Sequence, residues 1–286
     1  MNALLRGRSR SAPLLAGLLA LLAILLAWPT AATAQEGRLK GWGANESYQL
    51  GGVVTNAKYK PVTVPGLTDT DIKSIDAGAS HSLALLSNGT VESWGLNTSG
   101  QLGIGTLTNQ DQASTVTGLR GVVAIAGGAN HSLALLADGT VRAWGLNTYG
   151  QLGDNTVATR TTPVTVSGLT NVEAIAAGDH HSLAVLADGT VKAWGYNAYG
   201  QQGDGTLTDR PAPITLEGAT NIRAIAAGHY HTLILDRDGK VSAVGYNNNG
   251  QLGDGSAVNR TALTTPINSL SNVSLIAGGA AFSLAG

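Results

Sequence analysis

The 286-residue sequence predicts an all-β fold: a β-propeller of about five four-stranded blades, its ring closed by pairing of the N- and C-terminal strands. Three observations carry that expectation. A long motif recurs at a fixed interval, each copy alternates like half-buried strands broken by turns, and the two ends hold complementary halves of one copy.

The interval comes first. The stretch AGDHHSLAVLADGTVKAWG at 177–195 has near copies around His131 and His81, and His231 opens a fourth. The tryptophans Trp94, Trp144 and Trp194 keep the same step of 50, with Trp42 lying 52 before Trp94 and Val244 in the place after Trp194. One unit of this length cannot bury its own apolar face, so units must stack, as a solenoid or as a propeller.

Local pattern selects the propeller. In one copy Val172 to Ala177 reads as a first strand and His181 to Leu186 as a second, joined by the Gly178-Asp179-His180 loop. Asp188-Gly189 is a hairpin signal of the two-residue kind, in which both central positions take positive φ. Thr190 to Trp194 is the third strand. A polar loop, Asn197 to Thr208, leads to a fourth around Ile214-Thr215-Leu216. Pro213, lacking an amide donor, makes that strand the outermost. Alanine and glycine dominate the first strand, as suits sheets converging on an axis.

The ends are complementary. Residues 35–43 align with the turn and third strand of a copy, whereas Gly279 to Ala285 align with the loop and second strand, Phe282 standing in the histidine slot. Pairing Phe282–Ala285 with Arg38–Trp42 would fuse the halves and leave no open sheet edge.

Residues 1–34 differ from the rest. Arg6, Arg8 and Arg10 precede an apolar run, Leu14 to Ala27, and a small-residue exit, Ala32-Thr33-Ala34, the layout of a cleaved secretory signal peptide. A run of 14 apolar residues falls short of a membrane-spanning helix. Three of the 17 Lys+Arg and none of the 18 Asp+Glu lie in this leader, so residues 35–286 carry 14 against 18, a formal charge of −4. Such a surface is ill suited to nucleic acid. The expected product is a single domain over 35–286, secreted to the extracellular space or periplasm, monomeric and free of membrane spans.

The repeated residues invite chemistry, but each has a plainer use. His81, His131, His181 and His231 could ring a metal, yet side chains from successive blades stay apart, and Phe282 fills the same slot. They are expected to anchor loops by bonding to backbone within their own blades. Trp42, Trp94, Trp144 and Trp194 recur at one strand position, which argues for packing between blades. Asp154, Asp204 and Asp254 lack a calcium-site pattern and suit turns, while Arg160, Arg210 and Arg260 read as scaffold. No metal or other cofactor is expected.

Function is expected where the frame is fixed and its contents vary. The pairs before the repeated histidine are Ala79-Ser80, Ala129-Asn130, Asp179-His180 and His229-Tyr230. Ser80, Asn130, Asp179, His180, His229 and Tyr230 are therefore the candidate binding residues of one loop face. A second variable set is Tyr149, Tyr199 and Asn249.

The motifs G-x-x-H-[ST]-L, as in Gly178 to Leu183, and DGTVxAWGxN followed by GQLG, as in Asp138 to Asn147 and Gly150 to Gly153, resemble the repeat of the regulator of chromosome condensation (RCC1-type) family. The resemblance covers nearly all of 35–286 and implies a β-propeller, with seven blades as that family's rule. Among its members the secreted bacterial propellers, which act as binding platforms, are the nearest in character. The expected function is thus a secreted, non-catalytic scaffold that binds an extracellular protein or glycan. The alternative is an extracellular propeller enzyme, a lyase or hydrolase, using His180 or His229 with Asp179.

Overall fold

The computed structural model describes residues 39–286 other than 54–55, 68–71 and 268. The leader expected over 1–34 lies outside the described residues. Residues 37–286 form one compact unit. All the described secondary structure is β, and among the described residues no helix is long and apolar enough to cross a membrane.

Strands follow the repeat. β1 (Lys40–Gly43) pairs with β2 (Lys58–Thr63) as a two-stranded sheet. Three four-stranded antiparallel sheets come next. The first holds β3 (Ile72–Ala77), β4 (His81–Leu86), β5 (Val91–Gly95) and β6 (Gln110–Thr115). The second holds β7 (Val122–Gly127), β8 (His131–Leu136), β9 (Val141–Gly145) and β10 (Arg160–Thr165). The third holds β11 (Val172–Ala177), β12 (His181–Leu186), β13 (Val191–Gly195) and β14 (Arg210–Thr215). β15 (Ile222–Ala227), β16 (His231–Asp236) and β17 (Val241–Gly245) make a three-stranded sheet, extended by a bridge from Gly245 to Arg260. β18 (Ile276–Gly278) and β19 (Ser283–Ala285) form a last pair.

Within a sheet the order is the sequence order, and the alanine- and glycine-rich first strand is innermost. The proline-bearing β14 is outermost, beginning at Arg210 rather than near Ile214 as the sequence suggests. The turn differs from expectation too. Gly189 alone takes positive φ, at 81°. Its amide donates to Leu186 O at 2.8 Å and Leu186 N donates to Thr190 O at 2.9 Å. That is a longer loop closed by a left-handed glycine, with Asp188 Oδ1 accepting from Thr190 N as an Asx turn.

The core lies between sheets. Trp144 of β9 packs on Leu83, Leu85, Val91 and Val116 of the preceding repeat, and Trp194 of β13 packs likewise on Leu133, Leu135, Val141 and Val166. Burying an aromatic side chain of this size stabilises by roughly 3 kcal/mol, and the indole N–H needs a partner. It finds one in the previous repeat: Trp94 Nε1 donates to Gln49 O, Trp144 Nε1 to Gln101 O and Trp194 Nε1 to Gln151 O, each at 2.9 Å.

The repeated histidines also cross between sheets, which corrects the expectation of own-blade backbone anchoring. Nε2 of His81, His131, His181 and His231 meets the hydroxyl of Ser132, Ser182, Thr232 and Ser283 respectively, at 2.9–3.1 Å. Each acceptor hydroxyl spends its proton on a glutamine carbonyl, as Ser182 Oγ does on Gln151 O at 2.9 Å. The histidine must therefore be the Nε2–H tautomer and donate. The sequence signal is the Ser or Thr after each histidine, which this bond requires.

Ring closure is not shown. Among the described residues β19 pairs with β18 and β1 with β2, and the two terminal sheets share no strand pair. Every junction repeats the same indole–carbonyl or imidazole–hydroxyl contacts, so the blade-to-blade step is fixed by packing. Trp42 is 65% exposed and Phe282 56%, whereas Trp144 and His181 are fully buried.

Candidate functional site

The innermost strands lead into five short loops around a cavity of about 260 Å³. Its lining is almost wholly glycine and alanine, with Asp179 and His229 as the ionisable exceptions. The loops are locked to one another. Ala79 N donates to Ala129 O, Ala129 N to Asp179 O, Asp179 N to His229 O and His229 N to Ala280 O, at 3.1–3.4 Å. The glycine before each pair is also tied down, as Gly178 N is to His181 O at 2.9 Å. These glycines are required by space: a methyl on Gly178 would strike the His181 ring and lie 2.5 Å from Gly228 O.

Asp179 and His229 meet across two blades, Nδ1 of the imidazole lying 3.3 Å from the carboxylate Oδ2. Burial raises the Asp179 pKa above the usual carboxylate range, opposed by the two neighbouring imidazoles. Burial lowers the His180 pKa, opposed by Asp179. The amides of Ala79, Ala129, Asp179 and His229 are spent on the loop-to-loop bonds, and those of Gly78, Gly128, Gly178 and Gly228 on the carbonyls of the following histidines. They do not present the donors that stabilise an oxyanion. Among the described residues no group of three or more His, Cys, Asp or Glu is placed to hold a metal ion.

His180 does not line the cavity. It turns outward onto Tyr149, their ring centroids 5.3 Å apart. From there a continuous aromatic patch crosses three repeats. Tyr149 meets Tyr196 at 4.7 Å, Tyr196 meets Tyr230 at 5.9 Å, Tyr230 meets Tyr199 at 5.3 Å, and Tyr199 meets Tyr246 at 4.8 Å. All five tyrosines are half-buried, as is His180, and His229 is exposed at the margin 6.1 Å from Tyr230. Burial and the surrounding tyrosines raise the Tyr196 pKa. Burial and Asp179 raise that of Tyr230.

The structure therefore joins the two variable sets that the sequence kept separate, since Tyr149 and Tyr199 touch His180 and Tyr230. Asn130 lies apart from the rings, its Oδ1 accepting from Gln101 Nε2 at 3.2 Å. Ser80 sits at the equivalent loop of the preceding repeat, and its carbonyl accepts from Leu96 N. Tyr196 and Tyr246 went unnoticed in the sequence. The signal is the residue after Trp-Gly or Val-Gly, which reads Leu96, Leu146, Tyr196 and Tyr246. The Asp154, Asp204 and Asp254 slots are scaffold: each carboxylate pairs with Arg160, Arg210 or Arg260 at 2.6–2.8 Å.

The family model described as the RCC1-like domain matches residues 27–285. The chain belongs to the RCC1-like domain family. Repeat propellers of this family often mediate protein binding, and the RCC1-like domain itself is non-catalytic. This RCC1-like chain is 41% identical over 90 residues to the mitochondrial RCC1 domain-containing protein RUG3 of Arabidopsis thaliana, covering 32% of this chain and 20% of that one. It is 42% identical over 74 residues to human protein RCC2, covering 26% of this chain and 14% of that one.

Among solved structures, Prp20p from Saccharomyces cerevisiae overlays with a TM-score of 0.77 at 27% identity, over 87% of this chain and 64% of that one. Human WBSCR16 overlays at 0.76 and 24% identity, over 86% and 66%, a likeness of fold alone. The RCC1-like chain thus spans a fifth or less of the two curated relatives' lengths and under two thirds of Prp20p.

Proposed function

We propose that this protein is an exported, non-catalytic scaffold of the RCC1-like family that captures a protein partner on its aromatic loop face. One observation carries the reading: five tyrosines and His180 form a contiguous patch. Tyrosine offers large contact area at low conformational cost and is enriched at protein interfaces. The rings tilt against each other by 51–82°, leaving no common plane for a flat sugar face, which favours a protein over a glycan.

Export is supported by the charged, apolar and small-residue succession in 1–34. Two experiments test the reading. Residues 35–286 are immobilised and used to capture proteins from an extracellular fraction, beside a Tyr196→Ala/Tyr230→Ala variant whose melting curve shows it folded. Loss of the captured band in the variant is expected, and equal capture removes the face from consideration. Mass spectrometry of the culture supernatant is expected to find a product beginning near Gln35, and retention of the intact chain in the cell would refute export.

A further inference from the structure

The repeat supplies an internal control at each position, so a group that departs from its counterparts can be tested for whether the fold needs it. Asp179 is one such group. Its slot holds Ala79, Ala129, His229 and Ala280 in the other repeats, and the backbone bond to the next loop forms whatever the side chain, as from Ala79 N to Ala129 O. Asp209 is a second. Its Oδ1 accepts from Asn197 N at 2.8 Å, but the neutral Asn109 and Asn259 accept the same bond from Asn97 N and Asn247 N at 2.8 and 2.7 Å. The scaffold requires neither negative charge.

Both carboxylates border the aromatic patch at its two central tyrosines. Asp209 holds the amide next to Tyr196, and Asp179 meets His229, the neighbour of Tyr230. Burial and the surrounding tyrosines raise the Tyr196 pKa and Asp209 adds to the rise, while burial and Asp179 raise that of Tyr230. Each phenol therefore sits in a negative field. The loops that carry the patch span 145–160, 178–181, 195–210, 228–231 and 245–260, and their only lysines or arginines are Arg160, Arg210 and Arg260. Each of these is already engaged, by Asp154, Asp204 or Asp254.

Resting on the reading of this face as a protein-binding surface, we propose that its centre takes an arginine side chain of the partner, the guanidinium stacking on the Tyr196–Tyr230 pair with Asp179 and Asp209 as counter-charges. A cation over an aromatic ring is attracted by the ring quadrupole. The planar guanidinium both stacks on rings and donates in a fork to carboxylates, a combination that an ammonium lacks. The two rings lie 5.9 Å apart by centroid and 61° apart in plane, so they offer π faces in two orientations. The partner's contact segment is basic, complementary to residues 35–286 with their formal charge of −4.

Fluorescence anisotropy tests this with a labelled peptide alternating glycine and arginine, beside counterparts carrying lysine or citrulline, the uncharged relative of arginine. At pH 8, residues 35–286 are expected to bind the arginine peptide, the lysine peptide more weakly, and the citrulline peptide roughly tenfold or more below the first. Asp179→Ala/Asp209→Asn uses side chains that other repeats already hold at these places, so it is expected to melt like the parent and to weaken arginine-peptide binding by a similar factor. The proposal is overturned if the arginine peptide does not bind, if the lysine or citrulline peptide binds as tightly, or if the double variant keeps full affinity. The capture experiment separates this failure from failure of the underlying reading. An extracellular protein lost by both Tyr196→Ala/Tyr230→Ala and Asp179→Ala/Asp209→Asn supports the arginine contact, whereas one lost only by the tyrosine variant leaves the aromatic face standing and removes the arginine.

Discussion

His131 Nε2 lies 2.9 Å from Ser182 Oγ, one repeat further along the chain, and both groups are fully buried. The same pair recurs at three other junctions. Its imidazole Nδ1 is buried with no partner. A second proton on the ring would therefore put an uncompensated charge in the core. The ring's role is to tie two sheets together while neutral.

That neutrality makes the fold sensitive to acid. Burial lowers the pKa of His131 and His181 from 6.5 to about 3, and of His81 and His231 to about 4. The folded values are depressed, so the unfolded chain binds more protons as pH falls below 6.5. Stability is full above that pH and declines toward 4. Each histidine contributes a slope of about 1.4 kcal/mol per pH unit, so four acting together give roughly 5 kcal/mol per unit near pH 5. Urea unfolding at a series of pH values is expected to show this decline, and His181→Gln should remove one proton from the slope. A stability flat between pH 7 and 5 would contradict it.

Removing the hydroxyl leaves the imidazole N–H buried without an acceptor. Ser182→Ala is expected to lower stability by about 1–3 kcal/mol. Ser182→Thr should be nearly neutral, because Thr232 already performs the same task for His181 at 3.1 Å. Denaturant midpoints of the two variants decide the matter.

Backbone crowding at the axis gives a sharper contrast. Gly178→Ala sets a methyl against the His181 ring and Gly228 O. A loss of several kcal/mol or failure to fold is expected, as for other overpacked or strained sites. Ala177→Gly, one residue earlier, should cost no more than about 1 kcal/mol, since Gly127 holds the equivalent place in β7. Thermal melts followed by circular dichroism would separate them.

The ion pairs on the outer loops should matter less than their number suggests. Arg210 is about one-third exposed and its partner Asp204 nearly buried, so Arg210→Ala is expected to cost within about 1 kcal/mol. Asp204→Ala should cost more. Its carboxylate also accepts from Thr206 N at 3.0 Å and from Asn197 Nδ2 at 3.1 Å, and those donors would be left bare. Equal effects from the two substitutions would mean that the charge, not the loop, is what the pair supplies.

Much of this was legible in the primary structure because a repeat reports on itself. Val172 to Ala177 and His181 to Leu186 are the strands that alternation marks, and Pro213 falls on the outermost strand. The turn at Asp188-Gly189 was misjudged because sequence shows the glycine and not which neighbour shares its positive φ. The partner of His181 was missed for a different reason: Thr232 is 51 residues away, and only the blade stacking brings it near. The aromatic patch was half visible. Positions 149, 180, 199 and 230 vary openly within loops, whereas Tyr196 and Tyr246 follow a Trp-Gly or Val-Gly strand end that looks purely structural. Closure was inferred from matching ends, but whether ends meet depends on an angle that no local pattern encodes.

The bonds between neighbours have a further consequence for how such a molecule can change in length. Every junction presents the same donor on one side and the same acceptor on the other. Splicing Asp138 directly to Gly189 would hand His131 the hydroxyl of Thr232, and Gln101 the indole of Trp194. Nothing at the new seam would be chemically foreign. Whole units can thus be gained or dropped by recombination without rewriting the contacts that remain, while an insertion of any other size would leave donors and acceptors out of step.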